Sequence, residues 1–237
     1  MGPAELLDRL RAELTAALAP PACLACRAPL ADAQTELCVG CRRALPWLPA
    51  PRCVRCGLPA PCGGAAGCPA RAAAFERAWA PLAHDGPARQ LTAALKFRGA
   101  LPVACLMAAQ IAATAPRELL AGATLVPVPL HPARRRARGF DQAALIAHAL
   151  AVRSGLALDA CLRRAGAPTR QLGASRTTRR DAAASQLLRV RGPAPARVLL
   201  LDDVHTTGAT FDACARALRA AGARRIGAIA YCRTLPR

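Results

Sequence analysis

Eight cysteines crowd between Cys23 and Cys68, and their spacing constrains the N-terminal part of this chain more than any other feature. Cys23 and Cys26 make one Cys-x2-Cys knuckle, and Cys38 and Cys41 make another after 11 intervening residues. Two knuckles that each present two thiolates can close a tetrahedral four-cysteine zinc site. Cys53 and Cys56 form a third knuckle, followed by Cys62 and Cys68 at looser spacing, which gives a second candidate set of four. No acid, base or open ligand position accompanies either set, so both read as structural zinc sites. A disulfide framework is the competing reading for 12 cysteines, but it belongs to short secreted chains, and no export signal precedes these. Residues 1–20 instead spread Glu5, Asp8, Arg9, Arg11 and Glu13 among leucines and alanines, the pattern of an amphipathic helix. A cytoplasmic protein is expected. Cys105, Cys161, Cys214 and Cys232 lie scattered in apolar segments and read as core.

A length of 237 residues allows one ordinary domain with a small appendage, here expected as a cysteine-rich module over 1–70 and a second domain over 71–237. The formal net charge is +19, and of 33 basic residues only Lys96 is lysine. The first 75 residues hold 8 basic and 5 acidic side chains, whereas the remainder holds 25 and 9. The positive field therefore belongs to the second part. With 60 alanines and so many arginines the composition looks coding-biased, which makes net charge alone weak support for an acidic partner. Aromatic residues are only 3% of the chain, which argues against a base-stacking module. The longest uncharged stretch, residues 99–116, is shorter than the roughly 20 apolar residues of a bilayer helix. No integral membrane contact is expected, and no internal repeat stands out.

Beyond the cysteines, residues 75–83 alternate like a strand and end at Asp85-Gly86, a hairpin-type turn signal, before a helical stretch through residue 97. Residues 101–115 read as a helix. A short apolar strand over 124–128 leads through a basic loop to a helical pattern over 140–152. Residues 163–191 carry eight Arg against one acid, Asp181, with little hydrophobic periodicity, and read as a mobile loop. Residues 197–202 form a continuous apolar strand, 203–209 a polar turn, 210–221 a helix and 225–232 another strand. Such alternation predicts an α/β fold with a mainly parallel sheet flanked by helices.

The turn after the 197–202 strand carries the chemistry. That strand delivers Asp202 and Asp203 at its C-terminal edge, where open α/β sheets bind ligands. Val204, His205, Thr206, Thr207, Gly208, Ala209 and Thr210 follow, offering backbone N–H groups, three threonine hydroxyls and a helix N-terminus suited to a phosphate dianion. The two acids cannot hold that phosphate. They can accept hydrogen bonds from vicinal ribose hydroxyls or help hold Mg2+ through water, so the expected ligand is a ribose 5-phosphate. His205 reads as a turn residue rather than a general base.

Residues 200–210 resemble the phosphoribosyl pyrophosphate fingerprint of type I phosphoribosyltransferases. Taken with Val126-Pro-Val-Pro129, Arg138-Gly139-Phe140, Gln142, Leu95-Lys96-Phe97 and Gly99, nearly the whole chain is similar to the ComF family of competence-associated proteins. The resemblance implies an N-terminal zinc finger joined to a phosphoribosyltransferase-like domain. It implies Asp202 and Asp203 on the ribose, Thr206, Thr207, Gly208 and Thr210 on the 5-phosphate, and a pyrophosphate loop from Arg134 through Arg138 to Gly139. Arginines there suit a pyrophosphate leaving group. Asp141 and Asp181 stand where the family shows Asn; an ionised acid cannot donate as an amide does. Two functions are therefore expected. One is binding of phosphoribosyl pyrophosphate with Mg2+, with or without displacement of pyrophosphate at C1. The other is single-stranded DNA binding within the DNA uptake and transformation machinery, for which the residues themselves offer charge alone.

Overall fold

The computed structural model describes residues 21–32, 34–63, 67–164 and 188–236. The N-terminal amphipathic stretch, most of the basic 163–191 segment and Asp181 lie outside them. The expected α/β architecture is present, with a parallel sheet flanked by helices.

The centre of the sheet is β6 (Arg197–His205), whose Val198, Leu199, Leu200 and Leu201 are all buried. A strand with both faces covered needs this unbroken apolar run rather than alternation. It pairs in parallel with β7 (Arg225–Arg233) on one side and β3 (Thr124–Pro127) on the other. The short β1 (Arg77–Trp79) and β2 (Leu82–Ala83) both run along the outer side of β7, also in parallel. Successive side chains of β6 go to opposite faces. Leu199 and Leu201 join a core with helices α2 (Gly86–Arg98), α3 (Pro102–Thr114) and α6 (Gln142–Ser154). Val198 and Leu200 join another with α7 (Ala209–Ala220), together with Phe75, Phe211 and Leu218. Gly227 of β7 is tight: a Cβ there would lie 3.0 Å from Leu119 Cδ1 of the short helix α4 (Arg117–Leu120).

Three local expectations are corrected. Asp85-Gly86 opens a helix rather than a hairpin: the Asp85 carboxylate accepts the Gly86 N–H at 2.8 Å as the N-cap of α2, Pro87 follows in the first turn, and Gly99 at φ 61° ends it. The basic loop contains helix α5 (Pro132–Arg138), because His131 Nδ1 caps the Ala133 N–H, Pro132 suits a first turn and Gly139 at φ 79° stops it. Strand β6 does not end at Asp202 but continues through His205, since Asp203 and His205 are themselves buried. Of the 163–191 segment, β4 (Leu162–Arg164) and β5 (Leu188–Val190) pair antiparallel at its two ends.

The cysteine module contains a repeat that the sequence reading overlooked. Bridges Ala22↔Pro29 and Arg52↔Pro59 match at an offset of 30 residues. So do the bonds from Cys23 N to Ala28 O and from Cys53 N to Leu58 O, and those from Arg27 N to Cys23 O and from Gly57 N to Cys53 O. Even the left-handed residues correspond, Arg27 at φ 69° and Gly57 at φ 73°. The two units straddle the sheet: Cys23, Leu37 and Cys41 pack into the first core, Cys56 and Leu58 into the second. Between them, Leu48 N–H donates to Pro81 O and Ala78 N–H to Val54 O, so the module covers the β1 and β2 edge.

Candidate functional site

Each cysteine quartet is brought together as its spacing requires. The sulfurs of Cys23, Cys26, Cys38 and Cys41 lie within 4.8 Å of one another, and so do those of Cys53, Cys56, Cys62 and Cys68. A zinc tetrahedron with bonds of about 2.3 Å has edges of about 3.8 Å. The Cys26–Cys38 and Cys53–Cys68 sulfur separations are 3.7 Å and 3.8 Å. Both quartets thus fit a structural Zn2+, with all four positions filled by protein. Cys38 also begins helix α1 (Val39–Arg43), its sulfur accepting the Cys41 N–H. Burial opposes ionisation of Cys23, yet backbone N–H groups of Cys26, Cys38 and Ala25 bring its thiol down to about 6.

The second site is a cavity of about 410 Å3 at the C-terminal edge of β3 and β6. Asp202 and Asp203 reach it from β6, Thr210 from the first turn of α7, Arg134 and Arg138 from α5, and Lys96 from the end of α2. Asp203 is buried and its Oδ2 lies 2.7 Å from Lys96 Nζ. Asp202 Oδ1 accepts the Asp203 N–H at 2.8 Å. Burial, and then the adjacent Asp203 carboxylate, push the Asp202 carboxyl well above its usual range. The pair is thus unequal: Asp203 is paired with lysine, whereas the Asp202 carboxyl is shifted upward and lines the cavity without a cation of its own among the described residues.

Asp141 and Gln142 line the same cavity. Asp141 uses its carboxylate as an acceptor, taking the Leu130 N–H on Oδ2 at 2.9 Å and capping α6 through the Ala144 N–H on Oδ1 at 3.3 Å. An acid serves these two amide donors better than an Asn would, having no NH2 to misplace. Gln142 is only 3% exposed. Its Oε1 accepts from Arg138 Nη1 at 2.8 Å, while among the described residues its Nε2 has no partner. A buried, unsatisfied amide at a cavity wall asks for an acceptor from a ligand or water.

The loop from Thr206 to Thr210 stands on a buried base. His205 is 3% exposed and packs edge-on against Phe75 and Phe211, with ring centroids 6.2 Å and 5.2 Å away. Burial first and Arg233 second lower its pKa to about 3, so the ring is a neutral packing element and does not line the cavity. Gly208 takes φ 88°, and a Cβ there would lie 2.9 Å from His205 Nε2, so the bend needs glycine twice over. Buried Arg233 donates to the carbonyls of His205 and Thr206 and, from Nε, to Cys56 O at 3.2 Å. Because C=O and N–H oppose each other across a trans peptide, this turns the Thr206 and Thr207 N–H groups away from Arg233. Among the described residues they have no acceptor. Thr206 and Thr207 are exposed, Gly208 and Ala209 half-buried, and Val204 packs against the first core. Thr210 is the loop residue that lines the cavity.

Sequence reasoning left Lys96, Asp141, Gln142 and Arg164 out of the site, although all four line the cavity. Lys96 carried a usable signal, being the single lysine in a chain that otherwise uses arginine. No helix of eighteen residues or more among those described is apolar enough to cross a membrane.

The double zinc ribbon domain family matches residues 14–71, which contain both cysteine quartets. The chain is 31% identical over 230 residues to the DNA utilization protein YhgH of Salmonella typhimurium, spanning 91% of this chain and 98% of that protein. The DNA utilization protein YhgH of Salmonella typhi is similar to the same extent.

Proposed function

The chain belongs to the family of the DNA utilization protein YhgH, and from that premise we propose that it is a DNA-handling protein whose cavity holds a phosphorylated pentose. The observation that carries this reading is the composition of the cavity. Lys96, Arg134 and Arg138 supply cations and Gln142 Nε2 an unmet donor, while Asp202 and Asp203 stand at the end of the central strand. Cations and an orphan amide suit phosphate oxygens, and carboxylates suit sugar hydroxyls. Thr210, in the first turn of α7, adds a hydroxyl and a helix N-terminus to the phosphate end.

Free phosphoribosyl pyrophosphate and the 5′-phosphorylated end of a DNA strand share this chemistry. They differ in the 2′ and 3′ hydroxyls, which the strand lacks or esterifies, and at C1, which carries pyrophosphate in one and a base in the other. In this reading Asp202 would help hold an Mg2+ that arrives with the pyrophosphate, since Lys96 already neutralises Asp203, and the ion would offset diphosphate charge. Arg134 and Arg138 would then face the diphosphate, where their charge would favour its departure from C1 as water or another nucleophile forms the new bond to that carbon.

Calorimetric titration of the zinc-loaded full chain tests the reading, using phosphoribosyl pyrophosphate with Mg2+, ribose 5-phosphate, and a 5′-phosphorylated thymidine dinucleotide. Binding is expected for at least one of them, weakened about tenfold by Arg134→Ala and by Gln142→Leu. Loss of affinity in Asp202→Asn only for the ribose ligands identifies the sugar-facing acid. Pyrophosphate released from the bound donor is the sign of turnover. No heat from any of the three overturns the pentose-phosphate cavity.

A further inference from the structure

Phe97 follows Lys96 at the end of α2, and the residue is 76% exposed. Phe75 and Phe211 are buried, and Phe140 packs partly into the first core. One exposed apolar side chain is ordinary on a protein surface and means nothing alone. What singles out Phe97 is its setting. The Arg138 guanidinium lies over one face of the ring, 5.3 Å from the centroid, and the bond from Arg138 to Gln142 Oε1 holds it there. With three-quarters of the residue exposed and Arg138 over one face of the ring, the other face is open to a ligand. Arg134, Arg135 and Arg136 on α5 are exposed, and Arg134, Arg138 and Lys96 line the adjoining cavity.

A flat aromatic face backed by a guanidinium and next to a basic helix is what a single strand needs, since any base can stack on the ring while its phosphates pair with the cations. A duplex keeps its base faces stacked inside and offers the ring nothing. The sparse aromatic content excludes a module built from several stacked rings, and one platform at the mouth of the cavity does not require one. We propose that Phe97, backed by Arg138, and the exposed arginines of α5 form a docking surface for single-stranded DNA. A base stacks on the open face of Phe97 and the neighbouring phosphates pair with exposed arginines of α5. This rests on the DNA-handling reading above and adds to it the face by which a strand approaches the cavity.

Fluorescence anisotropy on the full zinc-loaded protein tests the surface with two probes of equal charge, a 3′-labelled twelve-residue oligothymidylate and an abasic twelve-mer. Phe97→Ala is expected to weaken oligothymidylate binding about tenfold, within the range for losing one stacked base, and to leave the abasic probe unchanged. Phe97→Trp restores the affinity. Arg135→Ala with Arg136→Ala weakens both probes and reduces the slope of log affinity against log salt by about 1.4, at about 0.7 per single-strand phosphate. Oligothymidylate affinity unaltered in Phe97→Ala, or an equal loss for both probes, overturns the stacking surface. An oligoglutamate peptide that binds as tightly as the DNA, with the same dependence on Phe97, reassigns the patch to a protein partner and also overturns it. Phe97 does not line the cavity, so ribose 5-phosphate heats persist in Phe97→Ala if the cavity reading holds. Their absence from the wild type refutes that reading separately and leaves the anisotropy result to decide the surface.

Discussion

Acid should loosen the base of the Thr206–Thr210 loop by a calculable amount. His205 is enclosed by Phe75 and Phe211, and burial, then Arg233, lower its pKa to about 3. In the unfolded chain the same imidazole titrates near about 6.5. Between those values the unfolded state binds a proton that the folded state refuses, so stability falls as pH drops through about 6.5 toward about 3. The slope is about 1.4 kcal/mol per pH unit, so the step from pH 7 to pH 5 costs about 2 kcal/mol through this residue. Carboxylates and the cysteine ligands titrate as well, so the informative quantity is a difference. Urea unfolding of the wild type and of His205→Gln at the two pH values isolates it, because the amide does not titrate and the other groups are shared. The wild type should lose about 2 kcal/mol more than the variant over this interval. Equal losses would show that the imidazole is not held neutral in the folded protein and would refute the packing argument for the loop.

Four further outcomes follow from the geometry. Lys96→Met strands the buried Asp203 carboxylate, at a cost of about 3 kcal/mol in urea unfolding, most of which Asp203→Asn recovers in the double variant. Gly208→Ala meets both a φ of 88° and the His205 ring, and should cost about 2 kcal/mol while weakening ribose 5-phosphate in calorimetry. Arg27→Gly copies the residue found at Gly57 and should raise the thermal midpoint, by removing about 1 kcal/mol of left-handed strain. Metal analysis of reduced protein should find two zinc ions per chain, falling to one in either Cys26→Ser or Cys62→Ser.

What the sequence announced and what it hid differ by mechanism. Cysteine knuckles and the apolar run of β6 are local patterns, so the zinc quartets and the central strand could be read directly. The repeat within the ribbons was invisible because only part of it is written in cysteines: Cys23, Cys26 and Cys38 recur 30 residues later as Cys53, Cys56 and Cys68, but the counterpart of Cys41 is displaced to Cys62. Helix α5 reads as a basic loop because its run of arginines has no apolar periodicity to mark a helix, although arginine is a good helix former. Strand β6 was cut short at its first acid because the partner that makes Asp203 tolerable, Lys96, is more than a hundred residues away. Gln142 was named only for its resemblance, since nothing in its neighbours reveals that its amide would end buried at a cavity wall without an acceptor.

The single guanidinium of Arg233 grips the carbonyl of Cys56 with one edge and those of His205 and Thr206 with another. Ribbon and loop are consequently clamped to a common post, and neither can be trimmed away to study the other in its native shape. Any chelator or oxidant that dismantles the second quartet also frees one side of the clamp, so the state of the four thiols would be felt as slackness in the bend that leads into α7.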